Sequence, residues 1–357
     1  MRFTALLSLL LVLLLATASP PSAEPILPAD PSITDMAGPN NPSQTRVIDP
    51  INTEVVRGYR QQAFIAMELF PSVGVGAYGG TILQFGKESF RLYSTRRSRG
   101  SDTKRVRFGY EGDPYAVPNR ALDAQVAFED MVDASAVPGI DLSRGALNLT
   151  MRAITLDVEY EAAQLATDPA KYDANHKLAL AGSDKWSDPD SDPVGDIDDA
   201  KEAIRKSTGL YPNVLVLGAL EFRALKEHPK LKERIKYTSR ESINEEILAQ
   251  LFDLPKVVVG RGVYATAEDA DFTDIWSGAV LAYVPAANGS YSPSGQGQIL
   301  TREEPSYGYT YAINGMPMVE QPYREQRSKS WIYGVTYDAV PVLSGVSAGF
   351  LFTGVVN

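Results

Sequence analysis

Apolar positions along the chain fall into three patterns. Short unbroken apolar runs between turn residues mark strands covered on both faces: Val214–Leu217 and Val257–Val259, with Ala279–Val284 as a third. Three- and four-residue spacing marks helices. The longest runs from Asp141 to about Asp168, with Leu147, Met151, Ile154, Val158 and Leu165 on one side. Asp141 or Ser143 can cap it, and Asp168-Pro169 ends it. Gly209 can take the left-handed conformation that closes a helix ahead of Pro212. Ala219–Glu227 reads as a helix broken at His228-Pro229, and Ser242-Ile-Asn-Glu245 as a capping box. The helix after that box carries Ile247, Leu248, Leu251 and Phe252 on one face. Ile51–Phe70 is helical at least in part. Phe85–Val117 reads as a long two-stranded excursion. Tyr307–Tyr311, 320–325, Trp331 and Tyr333–Tyr337 read as strands, their aromatics serving packing. Separate helical and sheet layers make the fold class α+β.

The N-terminus has its own pattern. Arg2, the apolar run Leu6–Leu15 and the small residues near Ala18 and Ala23 make residues 1–23 resemble a secretory signal peptide, too short to span a bilayer comfortably. Residues 24–50 are rich in Pro, Asn, Ser and Asp and are expected to be extended.

Composition narrows the chemistry. The 357 residues are 44% hydrophobic, enough for one or two cored domains. A net charge of −10 argues against a protein that coats nucleic acid. The absence of cysteine excludes disulfides, thiolate nucleophiles and cysteine metal sites. The two histidines, His176 and His228, are expected at the surface or in loops, and no metal or cofactor set is expected around them. Gly74-Val-Gly-Ala-Tyr-Gly79 matches the dinucleotide pattern, but a strand-like stretch follows where a helix is needed. Asp188–Asp199 imitates a calcium loop but has Pro193 at the glycine position, so Asp196, Asp198 and Asp199 are better read as charging the first turn of a helix. Asp157, Glu159 and Glu161 read as a solvated face of the long helix. Ser290, Ser292 and Ser294 lack a nucleophile elbow. Nothing here points to an enzyme. The strongest charged feature is the tip of the excursion, with Arg96, Arg97, Arg99, Lys104, Arg105 and Arg107 against Asp102. It lacks interleaved aromatics for stacking bases, so a partner surface of opposite charge suits it better.

An ordered set of segments carries a resemblance. Tyr-Pro-Asn-Val-Leu-Val-Leu-Gly (211–218), Glu-His-Pro-Lys-Leu-Lys-Glu-Arg-Ile-Lys-Tyr (227–237), Leu-Ala-Gln-Leu-Phe (248–252), Val-Val-Gly-Arg-Gly-Val-Tyr (258–264) and Ile-Trp-Ser-Gly with Leu-Ala-Tyr-Val-Pro (275–285) occur in this order. Phe-Ile-Ala-Met-Glu-Leu-Phe-Pro (64–71), Phe-Gly-Lys-Glu-Ser-Phe-Arg (85–91) and Ser-Thr-Arg-Arg-Ser-Arg-Gly-Ser (94–101) precede them. From about Asp49 onward the chain resembles major capsid proteins of tailed bacteriophages, with the Hong Kong 97 phage (HK97-like) capsid fold. That resemblance implies an N-terminal arm (24–50), a P-domain beginning at 51–75, an E-loop (76–118), the rest of the P-domain with its spine helix (119–190), an A-domain (191–325) and returning C-terminal strands (326–357). It implies self-assembly into hexamers and pentamers of an icosahedral shell around double-stranded DNA, without sequence-specific DNA contact. The six basic residues of the E-loop tip become subunit contacts. Scaffold, maturation protease, portal and decoration proteins are the implied further partners, and the virion, assembled in the host cytoplasm, the implied location, with no membrane in the mature form. Two alternatives stay open on the residues: an exported soluble binding protein, favoured by residues 1–23, and an encapsulin-type cellular shell.

Overall fold

The computed structural model describes residues 48–58, 61, 63–82, 95–97, 105, 113–135, 137, 141–235, 243–267, 269–285 and 306–356. The signal-like segment, nearly all of the arm, most of the excursion and the loop 286–299 lie outside them.

The chain enters at Ile48, which bridges Glu320. Asp49 caps α1 (Pro50–Arg57) by accepting the N–H groups of Ile51 and Asn52, each at 3.0 Å. A single turn, α2 (Ala66–Leu69), leads into β1 (Ser72–Val75). β2 (Gly79–Thr81) pairs antiparallel with β3 (Pro114–Ala116), so the two-stranded excursion stands on a short foot that begins before Phe85. β4 (Ala121–Ala127) and α3 (Phe128–Ser135) follow. Then comes α4 (Leu142–Thr167), 26 residues long, with Asp141 as its cap accepting Arg144 N–H at 3.1 Å. At 1.5 Å per residue it is roughly 39 Å long.

Beyond it lie β5 (Lys177–Ala179) and α5 (Pro193–Thr208), which starts on a proline and ends on Gly209 at φ 74°. β6 (Val214–Gly218) and α6 (Ala219–Glu227) follow the sequence reading closely, and α7 (Pro229–Ile235) is a further helix that starts directly after the expected break at His228. α8 (Glu245–Leu251) does not use the expected capping box. Asn244 is its cap, accepting Ile247 N–H at 2.9 Å, and Glu245 is the first helical residue. β7 (Lys256–Gly260), the ribbon of β8 (Val263–Tyr264) and β9 (Thr273–Asp274), and β10 (Ala279–Ala282) come next. The last stretch supplies β11 (Gly308–Ile313), β12 (Met318–Val319), β13 (Tyr323–Glu325), β14 (Ser330–Thr336), β15 (Ala339–Leu343) and β16 (Gly349–Thr353).

Three larger sheets result. The five-stranded one runs β5-β16-β10-β6-β7, parallel at both ends and antiparallel in the middle. Its inner strand β6 shows why an unbroken apolar run means burial on both faces. Leu215 and Leu217 of β6 pack among α5–α8, while Val214 and Val216 pack on the side of α2 and α4. A three-stranded sheet runs β1-β11-β15. In β11 both faces are buried, so Tyr309 and Tyr311 are core residues and no alternation toward solvent occurs. In the third sheet β14 pairs along its whole length with β4 on one edge, and with β12 and β13 on the other.

Helix α4 is the wall that two cores share. Its N-terminal two-thirds contributes Leu147, Met151, Ile154 and Val158 to the core under β4 and β14. Its C-terminal half contributes Ala162, Ala163 and Ala166 to the core under the five-stranded sheet. The change from large to small residues lets that sheet approach more closely.

Candidate assembly site

The foot of the excursion is held by one buried carboxylate. Asp338, in the turn between β14 and β15, is 1% exposed. Its Oδ2 accepts the Tyr78 hydroxyl at 2.8 Å and its Oδ1 accepts Arg120 N–H at 2.8 Å. Tyr78 precedes the outgoing strand and Arg120 follows the returning one, so a single side chain ties both limbs to the body. The Arg120 guanidinium then forks onto Asp157 and Glu161 of α4, and its Nε donates to Ala339 O at 3.1 Å. Asp157 and Glu161 keep the solvated face expected of them, at 63% and 42% side-chain exposure, and from it they anchor Arg120.

Glu159 departs furthest from expectation. It is 2% exposed, on the buried side of α4. Its Oε1 accepts Ile65 N–H at 2.8 Å and Trp276 Nε1–H at 2.6 Å, and its Oε2 accepts Ala66 N–H at 2.8 Å. Burial pushes its carboxyl above the ordinary value, while these three donors pull it back. One carboxylate thus joins α4, the start of α2 and the approach to β10. Glu221 acts similarly at a smaller scale, accepting Gly278 N–H at 2.7 Å, and burial raises its carboxyl too.

Both histidines lie in loops, one of the two expected places, but they are buried there, at 4% and 2% exposure. His176 lies between Asp173 Oδ1 at 2.7 Å and Ser207 Oγ at 2.8 Å. The line of Asp, His and Ser imitates a hydrolytic relay. The Ser207 hydroxyl, however, also lies against the carbonyls of Ile204 and Ser347, so it ties α5 to the turn before β16. His228 places Nε2 near Asp188 O at 3.1 Å and Ser191 Oγ at 3.2 Å, which pins the acidic loop to the α6–α7 break. Burial lowers its pKa. Of the acids once assigned to the first turn of α5, Asp196 also accepts Trp186 Nε1–H at 2.9 Å.

The first glycine of the dinucleotide-like stretch has a packing reason. A Cβ on Gly74 would sit 2.3 Å from Asn314 Oδ1, and a strand, β2, follows where a helix would be required. At the excursion tip Arg96, Arg97 and Arg105 are exposed, whereas Arg99, Lys104 and Arg107 lie outside the described residues. The structure does not bring the six together into a described cluster.

Sequence reasoning missed Asp338, Arg120 and Glu159 as organising residues. Glu159 alone left a signal: it falls one position after Val158 in the apolar stripe, where a solvated acid is poorly placed.

Comparison with known proteins agrees with the resemblance. The model of the family described as phage major capsid protein E matches residues 171–343. The major capsid protein of Burkholderia phage BcepMu is 37% identical over 315 residues, covering 88% of this chain and 98% of that one. The major capsid protein of Pseudomonas phage JBD67 is 29% identical over 225 residues, 60% of this chain and 68% of that one. Among solved structures, a phage-related protein from Bordetella bronchiseptica RB50 superposes with a TM-score of 0.74 at 48% identity, covering 87% of this chain and 98% of that one. The expected α+β fold and the capsid resemblance are both borne out. The chain belongs to the phage major capsid proteins, and its role is that of a structural subunit of the capsid.

Proposed function

We propose that this subunit assembles into hexamers and pentamers of an icosahedral head of the Hong Kong 97 type, enclosing double-stranded DNA. In this reading residues 24–50 are the arm, 76–118 the E-loop, 51–75 and 119–190 the P-domain with α4 as spine, and 191–325 the A-domain. Residues 326–357 are strands returning to both sheets. Arg96, Arg97, Arg99, Lys104, Arg105 and Arg107 contact a neighbouring subunit. Scaffold, maturation protease, portal and decoration proteins act on the same shell, which forms in the host cytoplasm.

The observation that carries the reading is similarity to the BcepMu capsid protein over 98% of that protein's length. The clamp at Asp338 adds physical support. A long hairpin cannot bury enough surface to be rigid alone, and tying both limbs to one buried carboxylate fixes the direction in which it leaves the body. The test is sedimentation with negative-stain microscopy on the full chain and on a chain lacking residues 1–23, both made in bacterial cytoplasm. Megadalton shells, or rings of five or six subunits, are expected. A strict monomer at high concentration, with or without residues 1–23, would refute the proposal.

A further inference from the structure

The two buried histidines differ in how many ring protons their surroundings demand. His176 stands just before β5, with Nδ1 2.7 Å from Asp173 Oδ1. Asp173 is exposed. What burial it has would raise its carboxyl, but the hydrogen bond and charge of His176 hold it below the ordinary value, so it is ionised. A carboxylate only accepts, so Nδ1 carries a proton. Nε2 lies 2.8 Å from Ser207 Oγ. Two carbonyl oxygens face that hydroxyl as well, Ile204 O at 2.9 Å and Ser347 O at 3.1 Å. Carbonyls cannot donate, so the single hydroxyl proton goes to them and Oγ accepts from Nε2. Both ring nitrogens of His176 are therefore protonated, and the ring is a cation.

The position favours that charge. Ile204 and Ser207 belong to the last turn of α5, the negative end of its dipole. The other charged side chains on the elements around the ring are held elsewhere or exposed: Asp168 on Ala170 N–H, Lys177 on Pro169 O, Arg205 on Glu202, with Lys171 and Lys206 exposed. Residues 344–353, which supply Ser347 and β16, contain no charged side chain. His228 is the reverse case. Ser191 O–H donates to Asp188 O at 2.9 Å, so Ser191 Oγ and Asp188 O both face His228 Nε2 as acceptors, at 3.2 and 3.1 Å. Nε2 therefore carries the proton. Nδ1 is buried without a hydrogen-bond partner, so a second proton would find no acceptor. Burial is the main force keeping this ring neutral, Lys230 adds to it, and Asp188 and Asp192 oppose it.

We infer that the two histidines form a two-sided pH clasp, in which His176 is a buried cation joining β5, α5 and the turn before β16, and His228 is a neutral pin joining the 188–192 loop to the break between α6 and α7. Raising the pH removes a proton that the contacts of His176 require. Lowering it adds one that His228 cannot place. At His176 the folded state binds more protons than the unfolded chain, so its contribution is present in acid and is lost as pH rises. At His228 the folded state binds fewer, so its contribution is present above the ordinary value of 6.5 and is lost as pH falls. His176 O also accepts Leu351 N–H at 3.0 Å, so loss of the cation loosens the residue at which edge strand β5 joins β16. Both histidines act within one subunit, whether or not it assembles.

The chain holds two histidines, so selective nitrogen-15 labelling of histidine in the full-length chain gives a spectrum of their ring nitrogens alone. At about pH 7.5, above the ordinary histidine value, His176 is expected to show both nitrogens protonated and His228 a protonated Nε2 with a bare Nδ1. His176→Gln and His228→Gln assign the signals. Urea unfolding reads the consequence. The parent's advantage over His176→Gln, as a folding equilibrium constant, is expected to fall about tenfold from about pH 6 to about pH 9, the worth of one hydrogen bond to a charged group. Its advantage over His228→Gln is expected to fall in the opposite direction, from about pH 7.5 to about pH 5. A bare nitrogen on His176 at about pH 7.5, a doubly protonated His228 there, or two variants whose pH profiles run the same way would overturn the inference. If His176→Gln does not fold, the parent spectrum beside that of His228→Gln still gives the proton count at each ring.

Discussion

Replacing Glu159 by alanine should destabilise the subunit more than any exposed substitution. The change removes the acceptor for Ile65 N–H, Ala66 N–H and Trp276 Nε1–H in a site that is 2% exposed. Each buried donor left without a partner costs about 1–3 kcal/mol. Against that sum stands the relief of no longer desolvating a carboxylate, itself several kcal/mol, so the net loss is about 3–5 kcal/mol. For a body of this size that corresponds to roughly 5–8 °C in melting temperature. Glu159→Gln keeps one accepting oxygen but turns an amide group toward a donor, so it should fall between parent and alanine. The assay is thermal unfolding of unassembled subunit, followed by tryptophan fluorescence, since Trp276 loses its partner directly. The pH dependence follows from the raised carboxyl. The folded state holds this proton more tightly than the unfolded chain, so the group's contribution is most favourable below its ordinary value and declines as pH rises through the folded value. The stability of the parent relative to Glu159→Gln should accordingly increase toward acid. An alanine variant melting within 1 °C of the parent, or a glutamine variant weaker than alanine, would refute the three-donor argument.

Asp338→Ala should free the foot of the excursion. Loss of an acceptor worth about 2–3 kcal/mol predicts roughly 30- to 150-fold faster hydrogen exchange at the Arg120 amide, read by mass spectrometry, with Asp338→Asn much milder because Tyr78 can reverse its hydrogen bond. His228 should confer acid sensitivity. Its lowered pKa means its contribution is fully present above the ordinary value of 6.5 and is lost as pH falls through that value toward the folded one, so urea midpoints measured from pH 7.5 to 5 should drop more for the parent than for His228→Gln. Gly278→Ala should cost about 1–3 kcal/mol, measured by the same melts, because the residue has φ 81° and its Cβ would lie 2.6 Å from Phe352 O.

What the residues disclosed and what they withheld divide along a physical line. Local signals were legible. The Asp141 cap, the αL residue Gly209 and the fully buried strand β6 each depend on a few neighbouring residues, and each stands where the spacing placed it. The α8 cap shifted because Asn244 competes with Ser242 only two positions away, and either can accept a helical N–H. Contacts between distant residues were not legible. Glu159 meets donors 94, 93 and 117 positions away, and Asp338 meets partners at 260 and 218. A charged residue on a helix looks solvated until the fold brings donors to it. The burial of the two loop histidines was hidden for the same reason, since Ser207 and Ser191 reach them from separate elements.

Those distant contacts share a geometry that matters for a shell. Arg120 and Glu159 both act on α4, one on each side of its middle, and through them the helix holds the foot of the excursion and the start of α2. The same helix walls the core beneath β4 and the core beneath the five-stranded sheet. A load applied at the foot formed by β2 and β3 therefore passes through Asp338 and Arg120 into a helix of about 39 Å, and from there into both cores. A hydrophobic contact alone would transmit that load without direction, because apolar burial is indifferent to small rotations. Bidentate and multiply hydrogen-bonded carboxylates are not, since their strength falls steeply with angle. Placing the charged groups at the joints and the apolar groups in the walls gives a subunit whose cores can tolerate substitution while the angle at which β2 and β3 meet the body stays defined.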